Sequence, residues 1–443
     1  MLAPPVRRFV AYAARGNATL ASPQPKGPLA GLMVIDMSRV LAGPYCSQIL
    51  GDLGFADVIK IEHPTRGDDT RAWGPRTLLI LMVAPGLVRV RITCRYATVT
   101  PSLRCPIGAQ ADSDLGFLKV NRNKRSLALS FKEKAGVDII TNLASRADVL
   151  VENYLPGSLK KYGLDYQSLA AVNSRLIYAS VTGYGQTGPY SDRAGYDVMV
   201  EAEMGLMHIT GPRDGPPVKV GVAVTDLTTG LYAANSVLAA IIERSSSGKG
   251  QHLDVCLSDC QVATLSNMAQ SVLVTGKRDG GRYGTSHPSV VPYRGFRTSD
   301  GDIMIGGAND RLFGVLCQCL GKPEWAADER FATNSSRVAN RTVLEKWIED
   351  ITMTRPTQAW LDRFEGTGLP YAKVNDLKDT LEHPQVTERG MVKEIDHATI
   401  GKLKVLNSPH TRDVLHEVLG MDAAVVDKLI EDGVASVSSQ AKS

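Results

Sequence analysis

Short apolar segments alternate with helical patterns along the first half of the chain, and this alternation constrains the fold more than any other feature. Strand-like segments lie at 32–36, 57–62, 147–153 and 175–181. Helical patterns separate them, at 45–53, 134–147 and 165–171. Such alternation is typical of a parallel sheet covered by helices on both faces. We therefore predict an α/β fold with a large, Rossmann-like domain, in which ligands bind beyond the carboxyl ends of the strands.

A glycine-rich stretch at 277–284 predicts a connection into a second, smaller domain. Around Asp300 and Gly301, the segment 293–307 has the pattern of a β-hairpin, and an all-helical portion follows it. The predicted order is a large α/β domain at 28–225, a helical linker at 226–284, a smaller α+β domain at 285–396, and a return segment with a C-terminal helix at 397–443.

The N-terminal segment 1–27 has the composition of a targeting sequence. No Asp or Glu occurs from Met1 to Ile35, and the cations of this stretch are Arg7, Arg8, Arg15 and Lys26. This pattern is typical of a mitochondrial transit peptide, so the matrix is the expected location. The alternative is a disordered tail without a targeting role. No apolar stretch approaches the roughly 20 residues that span a bilayer, so no membrane partner is expected.

The bulk composition is that of an ordinary globular protein with a small-molecule partner. The chain has 443 residues, of which 43% are hydrophobic and 22% charged. Its formal net charge of +4 is too small to indicate nucleic-acid binding. The seven cysteines form no C-x-x-C pair, and the histidines show no H-E-x-x-H spacing. We therefore expect reduced thiols and no metal site.

Asp226 is the main candidate for chemistry. It follows the apolar residues of the segment 221–224 and precedes a long helical pattern. A carboxylate at a helix N-terminus is stabilised by free backbone N–H groups and by the helix dipole. It stays ionised there and can attack an activated acyl group. The alternative is structural, because Asp is also a preferred N-cap residue.

The segment Gly183–Gly188 matches the spacing G-x-G-x-x-G of dinucleotide sites. Such a site needs a helix that begins inside the motif, with its N-terminus on the pyrophosphate. Here Pro189 follows at once, and the acids about twenty residues later lie in a helical stretch. A glycine loop that allows close approach of a ligand is therefore favoured over a nicotinamide site.

Three cations lie in the segment Asn121–Ser126, which we call the basic loop, before a strand predicted at 127–130. One interpretation is an anion clamp for phosphates or a substrate carboxylate, because Arg offers a planar, bidentate fork. The other is a solvated basic turn. A nucleic-acid groove is not indicated, because no aromatic residues alternate with these cations.

Taken in order, several short blocks resemble the class III CoA-transferase family, which also contains alpha-methylacyl-CoA racemases. The resemblance runs from about Gly31 to Thr411, except for one gap. The blocks that carry it are at 40–44, 57–62, 67–68, 71–75, 121–126, 151–154, 156–157, 183–189, 195–197 and 248–251. It implies a homodimer of interlocked, ring-shaped subunits, with the second domain threaded through the partner.

The resemblance also implies a mechanism. The family's transferases use the Asp at the position of Asp226 as nucleophile, and its racemases pair that Asp with a His that falls where Tyr196 stands. A phenol is poorly suited to shuttle a proton at the alpha carbon, so Tyr196 favours transfer. The segments 218–250 and 286–293 resemble members that move CoA from succinyl-CoA to dicarboxylic acids such as glutarate and hydroxymethylglutarate. Coenzyme A would then be a co-substrate, with no permanently bound cofactor.

Further contacts carry over by position. The family's coenzyme A contacts fall on Leu41, Ala42, His63, Leu129, Lys132, Asn153, Tyr154, Leu155, Lys161 and Asp197. His63 and Lys161 replace Arg of some relatives. We assign Arg122, as a hypothesis, to the distal carboxylate of the acyl chain, and Gly284 to substrate binding in a flexible glycine-rich cover. Backbone N–H groups near Asp226 are expected to stabilise the oxyanions.

One segment departs from the family. Residues 77–113 form an atypical insertion that includes the apolar run 78–84. Three alternatives to an active transferase remain open from the sequence: a racemase or other isomerase of the same family, a non-catalytic CoA-binding protein that arose as an inactive splice form, and a dehydrogenase.

Overall fold

The centre of the protein is a six-stranded sheet. The computed structural model describes residues 27–54, 56–72, 120–397 and 401–406. The strands are β1 (Met33–Asp36), β2 (Asp57–Glu62), β3 (Lys124–Ala128), β4 (Val149–Glu152), β5 (Ile177–Thr182) and β6 (His252–Cys256). Their order is β3-β2-β1-β4-β5-β6, and all neighbouring strands run parallel. This is the doubly wound order of the Rossmann fold, which confirms the predicted α/β architecture.

Both faces of the sheet are buried, because successive side chains of a strand point to opposite sides. Val34 and Val149 contribute to one core, whereas Ile35 and Leu150 contribute to the other. The helices around this sheet are Ala42–Gly54, Lys134–Ala144, Tyr166–Val172, Asp197–Glu203, Leu206–Ile209, Val224–Ser247, Leu257–Thr264 and Ser266–Thr275. Short 3-10 helices lie at Asp69–Ala72 and Lys160–Tyr162.

The segment 226–284, predicted as a helical linker, belongs in large part to the main sheet layer. It supplies β6, and the helix Val224–Ser247 buries Ala233, Val237 and Ala240 against the sheet. These small side chains allow the helix to pack closely on the strands. The helix therefore runs from the carboxyl edge of the sheet, after β5, back to the amino edge, before β6.

A second core forms around a three-stranded antiparallel sheet, with β7 (Tyr293–Arg297), β8 (Asp302–Gly306) and β9 (Tyr371–Lys373). The predicted hairpin at 293–307 is therefore present. Its helices are Asp310–Leu320, Asn334–Ala339, Arg341–Thr352, Thr357–Phe364, Leu377–Glu382 and Pro384–Glu388, with a 3-10 helix at Pro323–Ala327. A final hairpin joins β10 (Val392–His397) to β11 (Gly401–Leu406).

Several predictions concern residues outside the described ranges. These are the transit peptide, of which only residue 27 is described, the insertion at 77–113 and the C-terminal helix. Within the described ranges, no helix has the length and apolar character of a membrane span. β3 begins at Lys124, three residues before the predicted strand at 127–130, because Lys124 itself pairs with Val58 in the sheet.

Candidate active site

The loops after β1 and β4 meet at the point where the strand order reverses, which is where ligands bind in open α/β sheets. The Asn153 side chain accepts a hydrogen bond from the Arg39 N–H (2.8 Å) and donates one to the Arg39 carbonyl (2.7 Å). Between Arg39 and Leu41, Val40 adopts a positive φ of 73°. This conformation is strained for a β-branched residue. The two hydrogen bonds from Asn153 hold the strained loop in place.

The loop after β2 is fixed by buried charges. Glu62 accepts hydrogen bonds from the Arg71 guanidinium (2.7 and 2.8 Å) and from the Asp68 N–H (3.0 Å). Lys60, almost fully buried, pairs with Asp68 at 2.9 Å. Although burial alone would lower the pKa of Lys60, Asp36 and Asp68 raise it above its ordinary value, so the ammonium stays charged. These buried ion pairs and hydrogen bonds therefore fix the residues on both sides of the turn at 63–67.

The cations of the basic loop are bound within the chain. Lys124 pairs with the fully buried Asp36 at 2.9 Å, and Arg125 pairs with Asp57. Burial raises the pKa of Asp36, but the charges of Lys124 and Lys60 outweigh this effect and hold the pKa below its ordinary range. The anion-clamp interpretation of this loop is therefore wrong for Lys124. The solvated-turn alternative is also wrong for Lys124, because its side chain is buried.

Arg122, the hypothetical carboxylate anchor, lies at the opposite edge of the sheet from the start of the Asp226 helix. Its guanidinium contacts Asp52, near the end of the helix Ala42–Gly54, at 2.6 and 2.7 Å. It also donates to the carbonyl of Leu406 (2.5 Å). The helix Ala42–Gly54 runs from the carboxyl edge of the sheet to the amino edge, so Asp52 lies near the amino edge. The position of Arg122 and its pairing with Asp52 therefore argue against an anchoring role beside Asp226 within one subunit.

A cavity of about 280 Å³ opens at the carboxyl ends of β1, β2 and β3. Its lining includes four residues that were predicted to contact coenzyme A, namely His63, Leu129, Lys132 and Tyr154. Arg66 lines it as well. In the described part of the chain, neither Arg66 nor Lys132 forms an ion pair. Burial lowers the pKa of His63, and the charges of Arg66 and Lys132 lower it further, so the imidazole is neutral at neutral pH.

Aromatic rings form another part of the cavity wall. Phe131 contacts Tyr154 edge-to-face, with 5.6 Å between ring centroids, and the Arg39 guanidinium lies 5.2 Å from the centre of the Tyr154 ring. Burial raises the pKa of Tyr154 to about 12, so the phenol remains neutral. The cavity therefore combines flat apolar surfaces with two cations that have no ion-pair partner among the described residues, which suits a phosphorylated ligand with an aromatic ring.

Asp226 lies in the first turn of the helix Val224–Ser247 and is partly exposed. The N-cap residue is Ala223, so the N-cap interpretation of Asp226 is wrong. The capping acceptor is instead the Asp197 side chain, which accepts from the N–H groups of Thr225 (2.9 Å) and Asp226 (3.1 Å). Because both N–H groups are engaged by Asp197, they do not form the expected oxyanion site.

The Asp226 helix approaches the β1 loop closely at Gly230. A Cβ atom at Gly230 would lie 2.8 Å from the Ala42 carbonyl oxygen and 3.0 Å from the Tyr45 ring. Asp226 is one helical turn before Gly230, on the same side of the helix. It therefore stands beside the Leu41–Ala42 loop, whose other end at Ser38 borders the cavity. The segment from Ser38 to Ala42 has five residues, so it spans at most about 18 Å even when fully extended.

The remaining residues that were predicted to contact coenzyme A lie around the carboxyl edge of the sheet and differ in solvent exposure. Leu41 and Ala42 are buried, whereas Leu155 is 47% exposed. The Lys161 ammonium lies 5.0 Å from the centre of the Tyr162 ring and is not part of the cavity lining. Asp197 caps the Asp226 helix and does not line the cavity.

The glycine-rich segment 280–284 packs on the loop that leads to the Asp226 helix. The Arg282 guanidinium donates to the carbonyl of Gly215 at 2.8 and 3.2 Å. Gly284, which has a φ of 59°, donates its N–H to the carbonyl of Gly211. These contacts place Gly284 against the 210–222 loop.

The G-x-G-x-x-G segment serves packing. No helix begins inside it, since the next helix after β5 starts at Asp197. A Cβ atom at Gly183 would lie 2.6 Å from the Cα atom of Gly195, so the glycine permits contact between two backbone segments. This arrangement lacks the helix N-terminus of a dinucleotide site.

Three residues at this edge were missed by sequence reasoning. Arg39 and Arg66 border the cavity, and Glu201 is buried near Asp197. Arg66 could have been found as the one cation of the turn at 63–67. Glu201 had no such signal, because its burial depends on the packing of distant segments.

The fold defines an α/β protein of the doubly wound type, with a cavity at the carboxyl ends of its strands. A family model described as CoA-transferase family III matches residues 29–417, and the chain belongs to this family. Succinyl-CoA:glutarate CoA-transferase of Mus musculus is 42% identical over 426 residues, covering 92% of this chain and 90% of that protein.

A further relative and a solved structure support the same family. Succinate–glutarate CoA-transferase of Agrobacterium fabrum is 40% identical over 374 residues and covers 84% of this chain and 86% of that protein. The crystal structure of a CAIB/BAIF family protein from Brucella suis superposes with a TM-score of 0.71 at 38% identity. It covers 89% of this chain and 99% of that one.

Proposed function

We propose that this protein transfers coenzyme A from succinyl-CoA to a dicarboxylic acid such as glutarate, with Asp226 as the nucleophile. The observation that carries the proposal is the position of Asp226. The residue is partly exposed in the first turn of a long helix, one turn before the contact of that helix with the Ala42 carbonyl oxygen. The relatives named for succinyl-CoA and glutarate support the choice of substrates.

The chemistry begins with attack of the Asp226 carboxylate on the succinyl thioester carbonyl. The C–S bond breaks, giving a mixed anhydride and the thiolate of coenzyme A. The thiolate then attacks the Asp226 carbonyl carbon and forms an aspartyl thioester, while succinate leaves with one oxygen that came from Asp226. Covalent catalysis divides one difficult exchange into easier steps.

The acceptor acid completes the cycle by the reverse sequence. Its carboxylate attacks the aspartyl thioester, which forms a second mixed anhydride and releases the thiolate. The thiolate attacks the acceptor carbonyl, so the acceptor leaves as a CoA thioester and Asp226 regains a carboxylate. One oxygen of the regenerated Asp226 now comes from the acceptor. Each turnover exchanges one thioester for another, so the net free-energy change is small.

The cavity is assigned to the nucleotide part of coenzyme A. Arg66 and Lys132 carry charges without a carboxylate partner in the described part of the chain and can bind phosphate. The rings of Phe131 and Tyr154 offer flat surfaces for the adenine. The pantetheine arm would then follow the loop 38–42 towards Asp226. The glycine-rich segment 280–284, which packs against the loop preceding Asp226, is assigned to covering the acyl site and excluding water.

A dimeric state in the mitochondrial matrix completes the proposal. The leader composition at 1–27 supports import. Light scattering after gel filtration would give the mass of the assembly, and a monomer would reject the dimer. Expression of a fusion of the leader to a fluorescent protein would test import, and a cytosolic signal would reject it.

Substitution of Asp226 tests the proposed function. We expect Asp226→Asn and Asp226→Ala to reduce glutaryl-CoA formation from succinyl-CoA and glutarate by at least about a thousandfold, because the nucleophile is lost. The matched control is Asp214→Asn, which removes an exposed carboxylate from the preceding loop and should leave the rate unchanged. Retained transfer by either Asp226 variant, with normal folding by thermal melting, would remove Asp226 from the mechanism.

A further inference from the structure

Glu201 is a fully buried carboxyl group near the start of the Asp226 helix, with 0% of its surface exposed. It lies in the short helix Asp197–Glu203, one turn after Asp197 and on the same side. No step of the transfer reaction described above uses it. A buried carboxyl group without a catalytic or ion-pair role is unusual, because burying a charge is costly.

The two oxygens of Glu201 differ in their contacts. Oε2 accepts a hydrogen bond from the Val220 N–H at 3.1 Å, which fixes the side chain against the loop before the Asp226 helix. Oε1 is buried and makes no hydrogen bond of ordinary geometry within the described residues. Asp197 lies one turn earlier on the same helix, and its charge raises the pKa of Glu201. An ionised Glu201 would therefore place two negative charges side by side.

Two features of the surroundings disfavour the charged form of Glu201. Burial raises its pKa, and the Asp197 charge adds to the rise. Of the neighbouring elements, the loop before the Asp226 helix presents the cation Lys219, whose charge lowers the pKa of Glu201. The helix Leu257–Thr264 presents the uncharged Gln261, which accepts a hydrogen bond from Thr225 (2.6 Å).

We propose that Glu201 is a positioning residue: its protonated carboxyl group donates to Asp197 and so holds the first turn of the Asp226 helix. Asp197 in turn accepts the N–H groups of Thr225 and Asp226. The backbone of the nucleophile is thus held through two carboxyl groups, and only one of them is charged. This inference rests on the proposed role of Asp226.

A pair of substitutions distinguishes a hydrogen-bond donor at position 201 from a side chain that only fills the same space. Glu201→Gln keeps one donor and one acceptor, whereas Glu201→Met keeps the volume and loses both. We expect near-normal kcat for Glu201→Gln and a fall of about tenfold to a hundredfold for Glu201→Met, because small misplacement of a reacting group is costly. KM for succinyl-CoA should change little, since Glu201 does not border the cavity.

The pH dependence of kcat separates a role that depends on the ionisation of Glu201 from a purely structural role, which would leave this dependence unchanged in Glu201→Gln. Below its raised pKa Glu201 is protonated, and above it the second charge repels Asp197. We expect the kcat of the unchanged protein to fall as the pH rises through the pKa of Glu201, and this fall to be absent in Glu201→Gln. The control is Glu203→Gln, on the same helix but exposed, which should keep the fall.

The outcomes distinguish this inference from the proposed function. Loss of transfer in Asp226→Asn together with equal kcat in Glu201→Gln and Glu201→Met would overturn the role of Glu201 alone. A kcat–pH profile that is identical in Glu201→Gln and the unchanged protein would also overturn it, even if Glu201→Met fails to fold. If Asp226→Asn keeps its activity, the proposed function itself fails.

Discussion

Two groups of cations lie near the same sheet and differ in their partners. Those of the basic loop are bound by carboxylates of the same chain: Lys124 by Asp36, Arg122 by Asp52 and Arg125 by Asp57. Arg66 and Lys132, at the cavity, form no ion pair in the described part of the chain. The cations of the basic loop are therefore weaker candidates for anion binding than Arg66 and Lys132, because internal carboxylates already neutralise them.

Lys60 should give the largest effect, because it borders the cavity and yet is fully paired. Removing one partner of a buried ion pair leaves the other charge uncompensated. We expect Lys60→Met to reduce the free energy of unfolding by about 3–5 kcal/mol, measured by urea denaturation. A small loss of stability together with a raised KM for succinyl-CoA would show instead that Lys60 binds the ligand.

Arg66 should affect binding and leave stability intact. We expect Arg66→Ala to raise KM for succinyl-CoA by about tenfold at low salt, the effect of losing one charge-assisted hydrogen bond, with little change in kcat. The difference should shrink as ionic strength rises. Arg125→Ala is the matched control, an exposed Arg paired with Asp57. Equal KM values for the two variants would contradict the assignment of the cavity to coenzyme A.

Arg122 should give the smallest effect. Its pair with Asp52 is mostly shielded, with side-chain exposures of 23% and 4%. We expect Arg122→Ala to lower the free energy of unfolding by about 1–3 kcal/mol, less than Lys60→Met because Asn123 still donates to the buried Asp52. KM for both succinyl-CoA and glutarate should stay unchanged. A selective rise in KM for glutarate would restore Arg122 as the carboxylate anchor.

Sequence periodicity was sufficient for the architecture of the sheet. Buried strands such as β4 and β5 are short apolar runs, and their ends bring Asn153 and the β1 loop to one edge. Asp226 at a helix start was also predictable, because the apolar segment 221–224 leads directly into a helical pattern.

The pairing of charged side chains was not predictable from the sequence. Lys124 and Asp36 are 88 residues apart, and Arg122 and Asp52 are 70 residues apart. Such pairs are created by the order of the strands. The same reason made Glu201 unpredictable, because its hydrogen bond with Val220 forms only after distant segments fold together.

Isotope transfer from the acceptor tests the central claim most directly. The protein would be incubated for a single turnover, with succinyl-CoA no more concentrated than the protein and with glutarate whose carboxylate oxygens are oxygen-18, and the mass of the peptide that contains Asp226 would then be measured by mass spectrometry. We expect a peptide heavier by one oxygen-18, because the carboxylate regenerated in one turnover keeps one acceptor oxygen. Glutaryl-CoA formation with an unlabelled Asp226 would contradict it.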